Sequence, residues 1–267
     1  MKYKVICHRG IDRAHENTYK SITDTTTLKL TYQNETIIYG VEFDVQITKD
    51  NSIICYHDDT LTRLHSCDKR ICDLTENEIK EYELPHFNAV MLTLSSNKNL
   101  IIDVEIKTYQ PIELDKVKLL CKSVINTCNS LNIINQCVFT SFDDNVVYEL
   151  LNINKYMKIG KIMNKTDNVE DFEKFKSLGV STLIMHKDMI LDALDKHTLL
   201  LSDVDLYVYT LYNINNTNND TDDELIKIIK EKDIGLITDN YNKLLELLWK
   251  YWLYRIDFFY RFLRFIV

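Results

Sequence analysis

The sequence predicts an α/β fold, a (β/α)8 TIM barrel with a C-terminal amphipathic helix, from three observations. Eight short apolar runs rich in Val, Ile, Tyr and Phe recur along the chain, most of them separated by stretches of helical length. Three of these strands end in ionisable side chains: His8 and Arg9, then Glu42 and Asp44, then Glu105 and Lys107. Functional groups at the C-terminal ends of strands are the habit of parallel barrels, and 267 residues are enough for one.

Strand 1 covers 3–8, and a loop through Glu16-Asn17-Thr18 leads into a helix over 17–33. Strand 2 and its hairpin extension fill 39–57, where Val41 to Ile47 alternates so that Glu42 and Asp44 share a face. Within the less regular 58–99, Arg70 to Leu74 reads as a short hairpin arm. Thr75-Glu76-Asn77-Glu78 carries a capping-box pattern before a short helix. Strand 3 (100–106) is followed by a helix from Pro111 to 131, strand 4 (136–141) by a helix over 143–152, and strand 5 (157–162) by one over 168–178. Strand 6 (182–185) precedes a helix over 188–201, strand 7 (206–210) an Asn-rich loop and a helix over 221–232, and strand 8 covers 235–238. No linker divides these elements, so residues 1–250 form one barrel domain and 251–267 a tail.

A net charge of -8 argues against a nucleic-acid backbone as ligand, since such binding relies on Lys and Arg neutralising phosphates. The seven cysteines show no paired C-x-x-C spacing, and no leader of secretory type precedes His8, which suggests a reducing, intracellular, cytoplasmic setting. With 5 glycines and 2 prolines, turns must rest largely on Asn, Asp and Ser.

If Glu42, Asp44 and Glu105 share the barrel mouth, each pair at about 4 Å repels by roughly 4 kcal/mol at an effective dielectric near 20. Protonation or a cation must relieve this, and an oxygen-only donor set favours a hard ion, Mg²⁺ or Ca²⁺. Arg9 and Lys107 add positive charge beside that position, which suits an anionic substrate and a phosphate ester best. His8 and His57 then supply one acid and one base.

Taken together, the motifs resemble the glycerophosphodiester phosphodiesterases of the PLC-like phosphodiesterase superfamily. The resemblance runs through His8-Arg9-Gly10, Glu16-Asn17-Thr18, Gly40 to Asp50, His57 to Arg63, Asp73-Leu74-Thr75 and Glu105-Ile106-Lys107, with weaker echoes at Ser141-Phe142, Tyr209-Thr210 and Thr238-Asp239. It implies a metal-dependent hydrolase that splits a glycerophosphodiester into glycerol 3-phosphate and an alcohol. His8 and His57 would be the acid/base pair, Glu42, Asp44 and Glu105 the metal ligands, and Arg9 and Lys107 the phosphate contacts. A lysophospholipase D acting on membrane lysophospholipids would use the same residues, and a catalytically silent membrane-associated binding barrel is the alternative from another class. The chain departs from the family pattern at His15, Asn51, Tyr209 and Asn240, where Pro, Gly, Trp and Pro are usual.

From Leu244 onward the chain is dominated by Leu, Trp, Tyr and Phe, while Lys243, Glu246, Lys250, Asp257, Arg261 and Arg264 fall in a narrow arc of a helical projection. Such a tail either packs on the barrel or makes peripheral membrane contact as an interfacial helix. If it is interfacial, deletion of 252–267 releases the protein from sedimenting lipid vesicles and spares hydrolysis of soluble glycerophosphodiesters. Failure of the truncated protein to fold would assign the tail to the core.

Overall fold

A computed structural model describes residues 3–28, 31–32, 35–213, 220–229 and 232–248. Eight strands run parallel: β1 (Tyr3–His8), β2 (Glu35–Ile47), β3 (Ile101–Ile106), β4 (Cys137–Ser141), β5 (Ile159–Met163), β6 (Thr182–His186), β7 (Asp205–Leu211) and β8 (Ile234–Thr238). Each pairs with the next, and β1 pairs with both β2 and β8, so the sheet closes into a barrel. Closure follows from burial on both faces. Along β2, Val41, Phe43 and Val45 point outward into the layer shared with the helices, and Glu42 and Asp44 point inward. Ile6, Ile162, Ile184, Tyr207 and Ile237 fill the barrel floor as a separate apolar cluster.

The register places the charged residues side by side. His8 stands opposite Glu42, Glu42 opposite Asp103, and Asp44 opposite Glu105. Between β2 and β3 the chain inserts a small lobe with its own core of Ile54, Tyr56, Leu61, Ile71, Leu74, Ile79 and Leu84. The lobe carries His57 to the barrel mouth. A short strand, Ile53–Cys55, joins it antiparallel to β2, and the turn before that strand holds Asn51 at φ 69°, a left-handed backbone met without glycine.

Four local expectations are corrected. The helix over 17–33 is shorter, an α-turn at Tyr19–Thr23 followed by a 3₁₀ turn at Asp24–Thr27, and Thr31–Tyr32 is an extended pair with the start of β2. The cause is the threonine run: the hydroxyls of Thr23, Thr25, Thr26 and Thr27 bond carbonyls three or four residues back and compete with helix propagation. Residues 70–74 form a 3₁₀ turn, Ile71–Asp73, with one bridge from Arg70 to Thr60 in place of a hairpin arm. Phe87–Leu94, within the stretch expected to be less regular, is a helix that buries Phe87, Val90, Met91 and Leu94 at helical spacing. The helix over 188–201 breaks at His197 into Ile190–Lys196 and Thr198–Leu201. The capping box at Thr75 and Glu78 is present as expected.

Residues 241–248 are helical, and Leu244 and Leu248 lie in the main core, so this part behaves as the last barrel helix. The tail at 251–267, with its expected membrane contact, lies outside the described residues. Among the described residues no helix is long and apolar enough to cross a membrane.

Gly235 on β8 makes room for Tyr207 on β7: a Cβ there would stand 2.0 Å from the Tyr207 ring. Gly235→Ala therefore displaces a ring of the packed floor and is expected to destabilise the barrel by about 1–3 kcal/mol. The shift should show in the urea unfolding midpoint, and an unchanged midpoint would contradict this packing.

Candidate active site

The barrel mouth opens into a cavity of about 530 Å³ whose lining includes His8, Glu42, His57, Glu105 and Lys107. One wall is charged and belongs to β1–β3 and the lobe. The opposite wall is apolar, with Phe142, Ile162, Ile184, Tyr209 and Ile237. Six of the seven residues expected at the site line this cavity, and the seventh, Asp44, lies behind its wall beside Glu42 and Glu105.

Glu42, Asp44 and Glu105 are buried, and each offers a carboxylate oxygen within 4.8 Å of the others. The surroundings divide the charge unequally. Burial raises the Glu42 pKa well above the ordinary range, and Asp44 and Glu105 push it further. Burial also works against the Asp44 carboxylate, but Lys107, His57 and Arg9 outweigh it and hold its pKa below the usual value. Asn17, in a left-handed backbone conformation at φ 54°, grips Asp44 reciprocally: its Nδ2 donates to Oδ2 at 2.7 Å and its Oδ1 accepts the Asp44 amide at 3.2 Å. Glu105 is raised by burial against the pull of Lys107, whose ammonium donates to it and lies 3.3 Å from Asp44 Oδ1. Lys107 thus belongs to the carboxylate cluster as much as to any phosphate position. Arg9 is placed similarly: its Nε is 3.4 Å from Asp44 Oδ2, and its backbone amide donates to Glu42 Oε2 at 2.9 Å.

These residues fit a hard divalent cation. Glu42 Oε1 and Asp44 Oδ1 are buried oxygens that accept no hydrogen bond, Asp44 Oδ1 having only the Lys107 ammonium 3.3 Å away, and such under-coordinated burial is costly. The donor set is oxygen alone, as Mg²⁺ and Ca²⁺ prefer.

Each histidine is backed by a carboxylate. His8 Nδ1 donates to Asp239 Oδ1 at 2.6 Å, which turns Nε2 toward Glu42 Oε2 at 3.8 Å. His57 Nδ1 donates to Asp58 Oδ1 at 2.6 Å. Burial lowers both histidine pKa values, His57 to about 4, against the upward pull of the neighbouring acids. Burial thus favours the neutral form of each ring, and an anionic ligand beside either would favour its protonated form.

Sequence reasoning assigned no role to four groups that complete the site. Asp239 and Asp58 back the histidines, and each lies within a motif of the family resemblance. Glu16 receives three arginines, Arg9, Arg13 and Arg63. Asp103 accepts from Thr140 Oγ1 at 2.7 Å, and the alternation that pairs it with Glu105 could have located it on the inner face. His15 is exposed, His65 packs between Tyr56 and Tyr82 in the lobe, and His186 meets Tyr209 edge to face at 5.5 Å.

Carboxylates converge with carboxylate-backed histidines at the C-terminal mouth of a parallel barrel, the donor set that a hard cation prefers. The chain belongs to the glycerophosphoryl diester phosphodiesterase family, whose profile matches residues 8–248. It is similar to a glycerophosphodiester phosphodiesterase of Caldanaerobacter subterraneus subsp. tengcongensis, 25% identical over 177 residues that span 60% of this chain and 66% of that relative, just under two thirds. Its fold is that of a glycerophosphodiester phosphodiesterase from Parabacteroides distasonis, with a TM-score of 0.73 at 18% identity over 93% of this chain and 97% of the other. It is also that of an Oleispira antarctica phosphodiesterase solved with its product sn-glycerol-3-phosphate, with a TM-score of 0.72 at 16% identity over 92% and 96% of the two chains.

Burial raises the Asp103 pKa to about 8, with Glu105 and Asp44 adding to the effect against the Thr140 hydrogen bond. An ordinary aspartate titrates near 3.9. Between about pH 4 and pH 8 the folded state therefore holds a proton that the unfolded state has lost, and stability falls as pH rises through that window. In metal-free protein, Asp103→Asn keeps the acceptor for Thr140 and removes this slope. Urea unfolding at pH 5 and pH 9 should show a smaller alkaline loss in the variant, by on the order of a few kcal/mol; equal losses would contradict the assignment.

Proposed function

We propose that this protein is a divalent-metal-dependent glycerophosphodiester phosphodiesterase that releases glycerol 3-phosphate and an alcohol. The observation that carries the reading is the meeting of Glu42, Asp44 and Glu105 within 4.8 Å in a cavity also lined by His8 and His57. Family membership supports it, as does the glycerol 3-phosphate in the Oleispira structure.

In this reading Glu42, Asp44 and Glu105 hold Mg²⁺ or Ca²⁺, which when bound neutralises phosphoryl oxygens as a Lewis acid. Arg9 and Lys107 bind the remaining phosphate charge. One histidine takes the proton of the attacking oxygen, from water or a neighbouring substrate hydroxyl, as it bonds to phosphorus. The other gives a proton to the alcohol oxygen as its bond to phosphorus breaks. Asp239 and Asp58 fix each ring with Nδ1–H toward the carboxylate, leaving Nε2 for proton transfer. The apolar wall of Phe142, Ile162, Ile184 and Tyr209 limits water around the reacting groups. We read residues 1–250 as the barrel domain, and seven free thiols, five of them buried, support a reducing intracellular setting.

The test is release of glycerol 3-phosphate from glycerophosphocholine, with chelator and with Mg²⁺ or Ca²⁺ restored. Turnover should require the metal and fall by about 10²–10⁴-fold in His8→Ala and in His57→Ala. Turnover of lysophosphatidylcholine alone would favour the lysophospholipase D reading, and turnover of neither substrate would leave a binding barrel.

A further inference from the structure

Among the described residues Glu16 is the meeting point of two chains of hydrogen bonds that end on different histidines. One runs from His8 Nδ1 to Asp239 Oδ1 at 2.6 Å, to which Arg13 Nε also donates at 3.0 Å, and Arg13 Nη1 then donates to Glu16 Oε2. The other runs from His57 Nδ1 to Asp58 Oδ1 at 2.6 Å. Arg63 donates to Asp58 through Nε at 2.6 Å and Nη2 at 3.2 Å, and to Glu16 through Nη1 at 2.9 Å and Nη2 at 2.5 Å. Arg9 Nη1 adds a third guanidinium to Glu16 at 2.8 Å.

We infer that Glu16 is a positioning residue that couples the two histidine–aspartate pairs into one network, so that the acid and the base are oriented together. The assignment rests on the function proposed above, because it concerns how that reaction's proton-transfer groups are held.

The physical argument starts from what Glu16 neutralises. Three guanidinium groups converge on one carboxylate whose side chain is 6% exposed, and without it they face one another in a poorly screened site. Arg13 and Arg63 would then lose the contact that sets their direction; Arg13 holds Asp239 through Nε, and Arg63 holds Asp58 through a two-nitrogen fork whose geometry a point charge cannot copy. An aspartate free to turn no longer holds its imidazole in the Nδ1–H form, and the proton-transfer nitrogen loses its aim. Glu16 touches neither ring, yet its loss should disturb both. Sequence order hides the coupling: the histidines are carried by β1 and by the lobe, Asp239 follows β8, and Glu16 lies in the first loop.

The test joins a kinetic and a spectroscopic readout, after the wild type has been shown to turn over glycerophosphocholine and His8→Ala to lower that turnover by about 10²–10⁴-fold. If that first step fails, the proposed function fails and the coupling is judged by spectroscopy alone. Glu16→Gln and Arg63→Ala are each expected to lower kcat about 10- to 100-fold with KM within about threefold of wild type. Their combination should be little worse than the poorer single variant, because both cut the same network. Nitrogen NMR of isotopically labelled histidine on metal-free protein should show the ring signals of both His8 and His57 shifted in Glu16→Gln. Arg63 is 45% exposed, so guanidinium ion in solution should restore part of the Arg63→Ala activity, which keeps the test available if Glu16→Gln does not fold. Unchanged histidine signals, losses that multiply in the double variant, or no rescue by guanidinium would overturn the inference.

Discussion

Three carboxylates held within 4.8 Å of one another away from bulk water are the constraint around which this structure is arranged. Like charges at such separations repel strongly wherever the dielectric is low, and the barrel cannot relieve the strain by letting them swing into solvent. The register of β2 against β3 sets Asp44 beside Glu105 and Glu42 beside Asp103, so the concentration of acid follows from strand pairing. The surrounding chemistry answers it. Lys107 lies between two of the acids, Arg9 donates its backbone amide to Glu42, and Asn17 fixes the orientation of Asp44. The oxygens that accept no hydrogen bond, Glu42 Oε1 and Asp44 Oδ1, fit a cation that finishes what these groups begin.

Around this centre the molecule divides its work by wall. β1–β3, the loop after β1 and the inserted lobe supply the charged groups of the proposed chemistry other than Asp239, whereas β4–β8 contribute most of the apolar floor and the aromatic side of the cavity. Asp239 crosses this division, reaching back from the end of β8 to His8 and so tying the closing strand of the barrel to the opening one. Closure of the sheet is therefore needed for the site as well as for stability, since His8 stands between a carboxylate on one neighbouring strand and another just beyond its other neighbour.

Much of this was legible in the sequence, for physical reasons that also mark where legibility stopped. Alternation in Val41-Glu42-Phe43-Asp44-Val45 fixes which side chains face inward, and a closed parallel barrel has one productive end, so the eight strands and the seven expected site residues followed from local pattern. The helix over 17–33 failed because threonine hydroxyls bonding carbonyls within the same turn are invisible to an apolar-period reading. Phe87–Leu94, a helix of only 8 residues within the stretch read as less regular, is too short for its apolar spacing to stand out in the sequence. The partner of His8 was beyond reach for another reason. Asp239 meets His8 across 231 positions, a contact that only strand closure creates, and the arginines on Glu16 come from Arg9, Arg13 and Arg63 through turns of irregular backbone.

The account stands or falls on whether the carboxylate cluster holds a divalent cation. Titration calorimetry of Mg²⁺ and Ca²⁺ into chelator-treated protein measures this directly, with Glu42→Gln and Asp44→Asn as controls. The account predicts one saturable site per chain for at least one of the two ions, lost in both variants while Asn17, Lys107 and the fold remain. Absence of binding by either ion to wild-type protein, or binding that survives both substitutions, would contradict it.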